Sequence, residues 1–126
     1  RTGVMPPLGD ALGSTGVENV VAYVLSLSGH KVPVGDVAAG AASFAQLCAA
    51  CHGADGRGNP ALGAPNLTDH IWVYGGSANA VREAIVRGRQ NQMPAHGARL
   101  GEQRVKLVTA YLLALRRQAD DDDVAR

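Results

Sequence analysis

The sequence predicts an all-α fold, because three of its patterns are typical of helices joined by loops. Apolar residues recur at steps of three and four along residues 100–117, which indicates a helix with one buried face. These residues are Val105, Val108, Leu112 and Leu115. The chain has no run of β-branched residues of the kind that forms strands, and residues 53–69 are dense in Gly, Pro and Asn, the composition of a loop.

Four helices are predicted in order along the chain. The first covers residues 16–28 and carries an apolar stripe of Val17, Val20, Val21, Val24 and Leu27. The second covers residues 37–50 and is rich in small residues; the third begins after Ser77, a favourable N-cap, and ends near Gly88. The fourth covers residues 100–117. We expect the stripe of the first helix to dock on this chain or on a second copy, because it would otherwise expose a contiguous apolar surface.

Cys48-Ala49-Ala50-Cys51-His52 is the segment most informative about chemistry. Cys-x-x-Cys-His is the pattern that attaches a c-type haem covalently. Cysteines three residues apart lie on one face of a helical turn, where both thiolates can add to the vinyl groups of one porphyrin. His52 then supplies its neutral imidazole as the proximal iron ligand. The motif predicts one haem c, bound through Cys48 and Cys51.

Three other uses of the two cysteines are open at this point. A thioredoxin-like redox pair requires a βαβ context, which the helical pattern does not provide. A structural zinc site takes four ligands, and the further histidines, His30, His70 and His96, are scattered singly along the chain. A simple disulfide between Cys48 and Cys51 is the third alternative.

Met93 is the predicted sixth ligand of the iron. It lies in Gln92-Met93-Pro94-Ala95, a loop between two predicted helices, and Pro94 restricts the backbone of the methionine before it. A His/Met pair fills both axial positions and raises the reduction potential, which suits an electron carrier. The alternatives are that Met93 fills a gap in the core, or that His96 is the ligand.

Four further residues are predicted to surround the cofactor. The backbone carbonyl of Pro65 is expected to accept the remaining ring N–H of His52, because metal-bound imidazoles usually donate to such a group. Arg89, with Trp72 or Tyr74, is expected to bind the haem propionates, because a guanidinium pairs with carboxylates and the two aromatic side chains carry donors. Alternatively, Pro65 only shapes a turn and the other three are ordinary surface or packing residues.

Together these motifs resemble a class I cytochrome c domain. More narrowly, they are similar to the C-terminal haem domain of the dihaem cytochrome c subunit (CcoP/FixP, subunit III) of cbb3-type cytochrome c oxidases. The resemblance covers nearly the whole chain, and its more specific segments are residues 59–69 and 71–76. It implies a class I cytochrome c fold, with helices around one covalently bound haem c. In that fold the first and last helices cross near a small residue and aromatics, matched here by Gly40, Phe44 and Tyr111.

The resemblance also implies a function and a location. The domain would transfer electrons as part of the input subunit of a terminal oxidase in the respiratory chain, without catalysis of its own. Its protein partners would be an upstream haem domain, the catalytic subunit of the oxidase and a donor cytochrome. It would lie on the periplasmic side of the bacterial inner membrane, with the family's membrane anchor upstream. A free periplasmic monohaem shuttle, a haem peroxidase and a redox sensor are the alternatives.

An internal repeat divides the chain. A shift of 88 residues places Met5-Pro6 on Met93-Pro94 and Ala22-Tyr23 on Ala110-Tyr111 without a gap. We therefore predict four parts: residues 1–28, the tail of a preceding cytochrome c domain; 29–38, a linker; 39–118, the cytochrome c domain; and 119–126, an acidic tail. No Cys-x-x-Cys-His precedes Met5, so the first part has no haem site of its own, and the chain is expected to be a piece of a longer protein.

Charge and hydropathy limit the partners. The formal net charge is +1 at pH 7, and residues 41–119 carry nine Lys and Arg against four Asp and Glu. This excess suits either a solvated face or an acidic protein partner, and it is too small to predict nucleic-acid binding. The sequence contains no apolar run long enough to span a membrane, and residues 16–28 are the candidate surface for a dimer.

Overall fold

The structure is a computed structural model that describes residues 2–124, with side chains up to residue 117. Its elements in chain order are β1 (Thr2–Met5), α1 (Gly9–Leu27), α2 (Val37–Leu47), α3 (Ala49–His52), α4 (Ala78–Arg87), β2 (Arg89–Gln92) and α5 (Gly97–Val124). The described chain is mainly helical, as the sequence predicts.

The chain divides into two compact units, residues 1–92 and residues 93–126. α1 packs within the same unit as the Cys-x-x-Cys-His motif. The division into four parts that the repeat predicts stays a prediction. The second unit contains α5. The predicted acidic tail falls at the end of α5, where the side chains of residues 118–124 and the whole of residues 125–126 lie outside the described part.

Within the first unit, α1 packs against α2 and α4 and supplies half of the apolar core. The core residues are Val17, Val20, Val21, Val24, Leu25, Phe44, Cys48, Leu67, Val81 and Ile85. The prediction that the stripe of residues 16–28 docks is therefore confirmed, and it docks on its own chain. A dimer through residues 16–28 gains no support, because this burial leaves no exposed apolar stripe on which two copies could meet.

Gly40 makes the close crossing of α1 and α2 possible. A Cβ atom at Gly40 would lie 1.9 Å from the backbone oxygen of Asn19, so a side chain does not fit there. The Tyr23 and Phe44 rings lie side by side, with their centroids 5.1 Å apart. Within the first unit, the aromatic residue beside Phe44 is Tyr23, and the expectation of Tyr111 at the crossing stays a prediction. The repeat matches these two tyrosines to each other, so the sequence pattern alone fits either of them.

β1 and β2 form an antiparallel pair that the sequence analysis does not predict. Thr2 lies opposite Gln92, and Met5 lies opposite Arg89. The sequence of β2 is Arg-Gln-Asn-Gln, which lacks the apolar alternation of a half-buried strand. Because the two strands are distant in sequence, their pairing depends on tertiary structure that a local pattern does not reveal.

The ends of the helices are set by caps and by glycines. Ser77 caps α4 as predicted, because its Oγ accepts a hydrogen bond from the Ala80 backbone N–H at 3.2 Å. The predicted helix over residues 37–50 ends at Leu47, and the short α3 follows it. α1 and α5 begin earlier than predicted, and each is kinked at a glycine whose dihedral angles are not helical: Gly13 (φ 65°, ψ 173°) and Gly101 (φ 73°, ψ 162°).

The apolar residues of α5 are exposed. They include Val105, Leu107, Val108, Tyr111, Leu112, Leu113 and Leu115, which are between 36% and 70% exposed. Within the second unit taken by itself, the stripe that the sequence predicts for the last helix is exposed. Among the described residues, no helix combines the length and the hydropathy needed to cross a membrane.

Candidate functional site

The cysteine motif lies where α2 ends and α3 begins. Cys48 closes α2 by donating its backbone N–H to the Phe44 carbonyl at 2.9 Å, and its side chain is buried in the apolar core. Burial, and then the nearby Cys51 thiol, raise the pKa of Cys48 above its ordinary value. Cys51 is exposed, and both thiols are free. The motif therefore does not form a disulfide in this structure, and both sulfur atoms remain available for attachment.

His52 is buried and has one ring nitrogen engaged. Its Nδ1 lies 3.2 Å from the Pro65 backbone oxygen, and because a carbonyl only accepts hydrogen bonds, Nδ1 is the donor. The Nε2 atom is thereby left as the nitrogen that can bind a metal. Burial lowers the pKa of His52, and the contact with Pro65 opposes this shift in part. The lowered pKa favours the neutral imidazole, which is the form that ligates iron.

The loop after the motif folds back so that Pro65 reaches His52. Gly58 donates its backbone N–H to the His52 carbonyl at 2.7 Å, and Leu67 donates its own to the Gly56 carbonyl at 2.7 Å. Gly58 has φ of 81°, and a Cβ atom there would lie 2.5 Å from the Pro65 carbonyl carbon. Only glycine fits this position without displacing Pro65. Gly58 is a residue of the site that the predictions above do not include, although the Gly56-x-Gly58 pattern was the available signal.

Two of the three predicted propionate ligands carry donors without a partner. Trp72 Nε1 and Arg89 Nε are buried nitrogen atoms with no hydrogen-bond acceptor among the described residues. The guanidinium of Arg89 lies over the Tyr74 ring, 4.7 Å from its centroid, and the Tyr74 hydroxyl donates to Asn91. Arg89 and Tyr74 are thus brought together, and the Tyr74 hydroxyl already has an acceptor. Unpaired buried donors are rare and unfavourable, so an acceptor from outside the chain is expected at these atoms.

The remaining histidines do not form a metal cluster. The rings of His30 and His70 lie 5.8 Å apart, and His30 lies edge-on to the Trp72 ring at 6.0 Å. The Nδ1 atom of His30 is 2.9 Å from the Ser28 hydroxyl. Across the described residues, no group of three or more His, Cys, Asp or Glu side chains is arranged to hold a metal ion. This disfavours the zinc alternative.

Met93 is the first residue of the second unit and is 65% exposed. Met5, which the repeat matches to Met93, is partly buried and packs against the core of the first unit. The Met5 backbone passes close to Gly88, where a Cβ atom would lie 2.4 Å from the Met5 carbonyl oxygen.

Haem fits the chemistry of the residues in the first unit. Free thiols three residues apart would supply the two attachment points, and the orientation of His52 would supply one axial nitrogen. The unpaired donors of Trp72 and Arg89 match the carboxylates that haem carries. No other cofactor class requires this combination of two thiols, one imidazole and carboxylate-binding donors.

Comparisons with known proteins agree with this chemistry. Residues 35–112 match the family model described as cytochrome C oxidase, cbb3-type, subunit III. The chain is 46% identical over 118 residues to the cbb3-type cytochrome c oxidase subunit CcoP of Rubrivivax gelatinosus, covering 91% of this chain and 38% of the relative. It is 44% identical over 117 residues to the CcoP subunit of Cereibacter sphaeroides, covering 91% and 40%.

A third relative is the cbb3-type cytochrome c oxidase subunit FixP of Azorhizobium caulinodans, at 44% identity over 116 residues, which cover 90% of this chain and 39% of the relative. The chain spans about two fifths of the length of these curated relatives. The family match covers more than half of the chain, and identities of this size extend over nine tenths of it. Together they show that the chain is homologous to these proteins. The chain belongs to the family of subunit III of cbb3-type cytochrome c oxidases.

Proposed function

We propose that this chain is an electron-transfer domain that carries one haem c. Cys48 and Cys51 hold the group covalently, and His52 Nε2 is its proximal ligand. Met93 is the proposed sixth ligand, and Trp72 and Arg89 bind the propionates, with Tyr74 packed beside Arg89. The observation that carries the proposal is the contact of 3.2 Å between His52 Nδ1 and the Pro65 oxygen within a Cys-x-x-Cys-His helix.

The haem supplies a reversible one-electron couple when bound. His52 and Met93, the proposed axial ligands, would fill both axial positions of the iron. No open site would then remain at which a substrate could bind and react. His52 is held by Pro65, so little of the first unit has to move when the charge changes. No catalysis by this chain alone is proposed.

Small side chains near the motif form the proposed port for electrons. Ala50, Ala61 and Leu62 are exposed and Ala49 is partly buried in the first unit, while Pro94 and Ala95 are exposed in the second. Apolar residues of this size allow a redox partner to approach closely. The names of the relatives favour a role for this chain within an oxidase complex. We propose an upstream haem domain, the oxidase catalytic subunit and a donor cytochrome as partners, on the periplasmic side of the inner membrane.

The repeat supports a further assignment for the first residues. We propose that residues 1–28 derive from the tail of a preceding cytochrome c unit, and that a membrane anchor belongs to the longer protein. The relatives are about two and a half times as long as the matched region, which leaves room for both.

Electron transfer to a purified donor cytochrome tests the function. The haem-loaded full chain is mixed with the reduced donor, and the rate is followed by stopped-flow absorbance. Ala61→Glu is expected to slow the transfer without altering the haem spectrum, and Ala54→Glu, another exposed alanine outside the proposed port, is the control. Steady peroxide reduction by the native chain, or an iron that binds added ligands at once, would favour an enzyme or a sensor instead.

A further inference from the structure

Asn59 lies at the base of a tight loop that immediately precedes Pro65. Its backbone N–H donates to the Ala64 carbonyl at 3.0 Å, and the Ala64 N–H donates back to the Asn59 carbonyl at 3.1 Å. The Leu62 N–H donates to the same Asn59 carbonyl at 3.1 Å. Residues 59–64 therefore form a closed loop whose two ends are joined at Asn59 and Ala64.

The side chain of Asn59 stabilises the same loop. Its Oδ1 accepts a hydrogen bond from the Ala61 backbone N–H at 3.0 Å. This is an Asx-turn, in which a short side chain bonds the backbone two residues further along the chain. An alanine at this position would keep the backbone hydrogen bonds of the loop and lose the one to Ala61.

The residues on either side of this loop both contact His52. Gly58, which precedes the loop, donates its backbone N–H to the His52 carbonyl at 2.7 Å. Pro65, which follows the loop, places its backbone oxygen 3.2 Å from His52 Nδ1. Because the loop is closed between Asn59 and Ala64, it holds Gly58 and Pro65 next to each other. The position of the Pro65 oxygen therefore depends on how this loop closes.

Pro65 is anchored differently on its two sides. On the side that follows it, Leu67 is buried in the apolar core. On the side that precedes it, residues 60–64 lie outside the core cluster, and the first three of them are exposed. The hydrogen bonds of Asn59 thus do on this side what apolar packing does on the other.

We propose that Asn59 is a positioning residue for the proximal ligand, because its loop holds the Pro65 oxygen against His52 Nδ1. This inference rests on the proposed haem function. It adds a residue that acts on the iron through Pro65 and His52. When the Pro65 oxygen is held less firmly, the imidazole is a weaker donor to iron, which favours the ferrous state. The side chain of Asn59 is neutral, so its removal changes no charge near the haem.

The reduction potential of the haem-loaded full chain gives the first test. Asn59→Ala is expected to raise the potential measured by potentiometric titration. Asn19→Ala is the matched control, because Asn19 is also neutral and partly buried, and its Oδ1 accepts one backbone N–H, that of Asp36, at 2.9 Å. This control should leave the potential unchanged. An Asn59→Ala variant that is less stable in denaturant but has the native potential would overturn the inference, because its role would then be structural only.

Hydrogen exchange at the His52 ring gives the second test, read by NMR of the ferrous chain with labelled histidine. The Nδ1–H of His52 should exchange several-fold faster in Asn59→Ala than in the native chain. Asn59→Asp should restore slow exchange, because a carboxylate oxygen can accept from the Ala61 N–H in the same turn. Equal exchange in Asn59→Ala and the native chain would overturn the inference.

Failure of the underlying function gives a different result from failure of this inference. A native chain that takes up no haem has no haem potential to measure. If the function holds and the inference does not, the native chain has a haem potential that Asn59→Ala leaves unchanged.

Discussion

The Nδ1 atom of His52 donates to the backbone oxygen of Pro65 across 3.2 Å. This contact fixes the ring orientation and leaves Nε2 as the nitrogen for the proposed iron, and it would raise the basicity of the imidazole as a ligand. The contact depends on the loop that brings Pro65 to His52, and this loop can come close only because Gly58 has no side chain.

Gly58→Ala is expected to raise the reduction potential of the haem-loaded chain. The added Cβ would meet the Pro65 carbonyl carbon at 2.5 Å and push its oxygen away from His52. A less basic imidazole donates less charge to iron, which favours the ferrous state. Potentiometric titration with optical detection measures the shift. Gly29→Ala is the matched control, because Gly29 also has positive φ (71°) but nothing within 4 Å of its Cβ position. Equal potentials in both variants would contradict the prediction.

Arg89→Met is expected to lower the same potential. The ferric site carries one more positive charge than the ferrous site, so removing a nearby cation stabilises the ferric form. Arg87→Met tests whether charge alone matters, because Arg87 is exposed and pairs with Glu83 on the same helix. If both arginine variants shift the potential equally, Arg89 has no specific role at the propionates.

Gly40→Ala is expected to destabilise the first unit by about 1–3 kcal/mol, the usual cost of overpacking a close contact. The new methyl group would overlap the Asn19 backbone oxygen at the crossing of α1 and α2. Denaturant unfolding measures the change. Gly16→Ala serves as the control, because its Cβ would meet only the Leu12 side chain, and alanine is the better helix former. A Gly40→Ala variant as stable as the control would show that α1 does not pack on α2 in this way.

Acid is expected to weaken the attachment of α1 through Glu18. The hydrogen bond from Arg82 lowers the pKa of Glu18 below its usual value, an effect that partial desolvation opposes. A carboxyl group with a lowered pKa stabilises the folded state above its unfolded pKa of about 4.3, and this contribution is lost as pH falls through the folded pKa. Unfolding measured from pH 7 to pH 3 should show this loss in the native chain and not in Glu18→Gln.

Replacing Arg82, the ion-pair partner of Glu18, gives a second test of the same interaction. Arg82→Met should remove the same acid-dependent contribution, and the double variant should lose less stability than the sum of the two single losses. Additive losses would mean that the two side chains act independently, in conflict with their contacts of 2.5 Å and 2.8 Å.

Local signals predicted some parts of the structure well. Ser77 caps α4 because a hydroxyl at that position has a backbone N–H to accept from, whatever the rest of the fold does. The spacing of Cys48, Cys51 and His52 is likewise a property of one helical turn. Such features need no knowledge of distant residues.

Other parts could not be predicted from local sequence, because they depend on contacts between segments that are distant along the chain. Tyr23 and Tyr111 each follow an alanine in similar apolar segments, so the local pattern fits either of them. The ion pair between Glu18 and Arg82 joins α1 to α4 and is not visible in that pattern. β2 is polar throughout and becomes a strand only because β1 lies beside it. In both cases tertiary contacts determine the structure, and the local sequence pattern does not predict them.

Covalent attachment of one haem is the central claim, and intact-mass spectrometry of the denatured full chain tests it most directly. For a chain matured by a cell's haem-attachment machinery, we predict the polypeptide mass increased by one haem, retained under denaturation. Cys48→Ser combined with Cys51→Ser should remove the increase. A native chain that shows only the bare polypeptide mass after the same maturation would contradict the account.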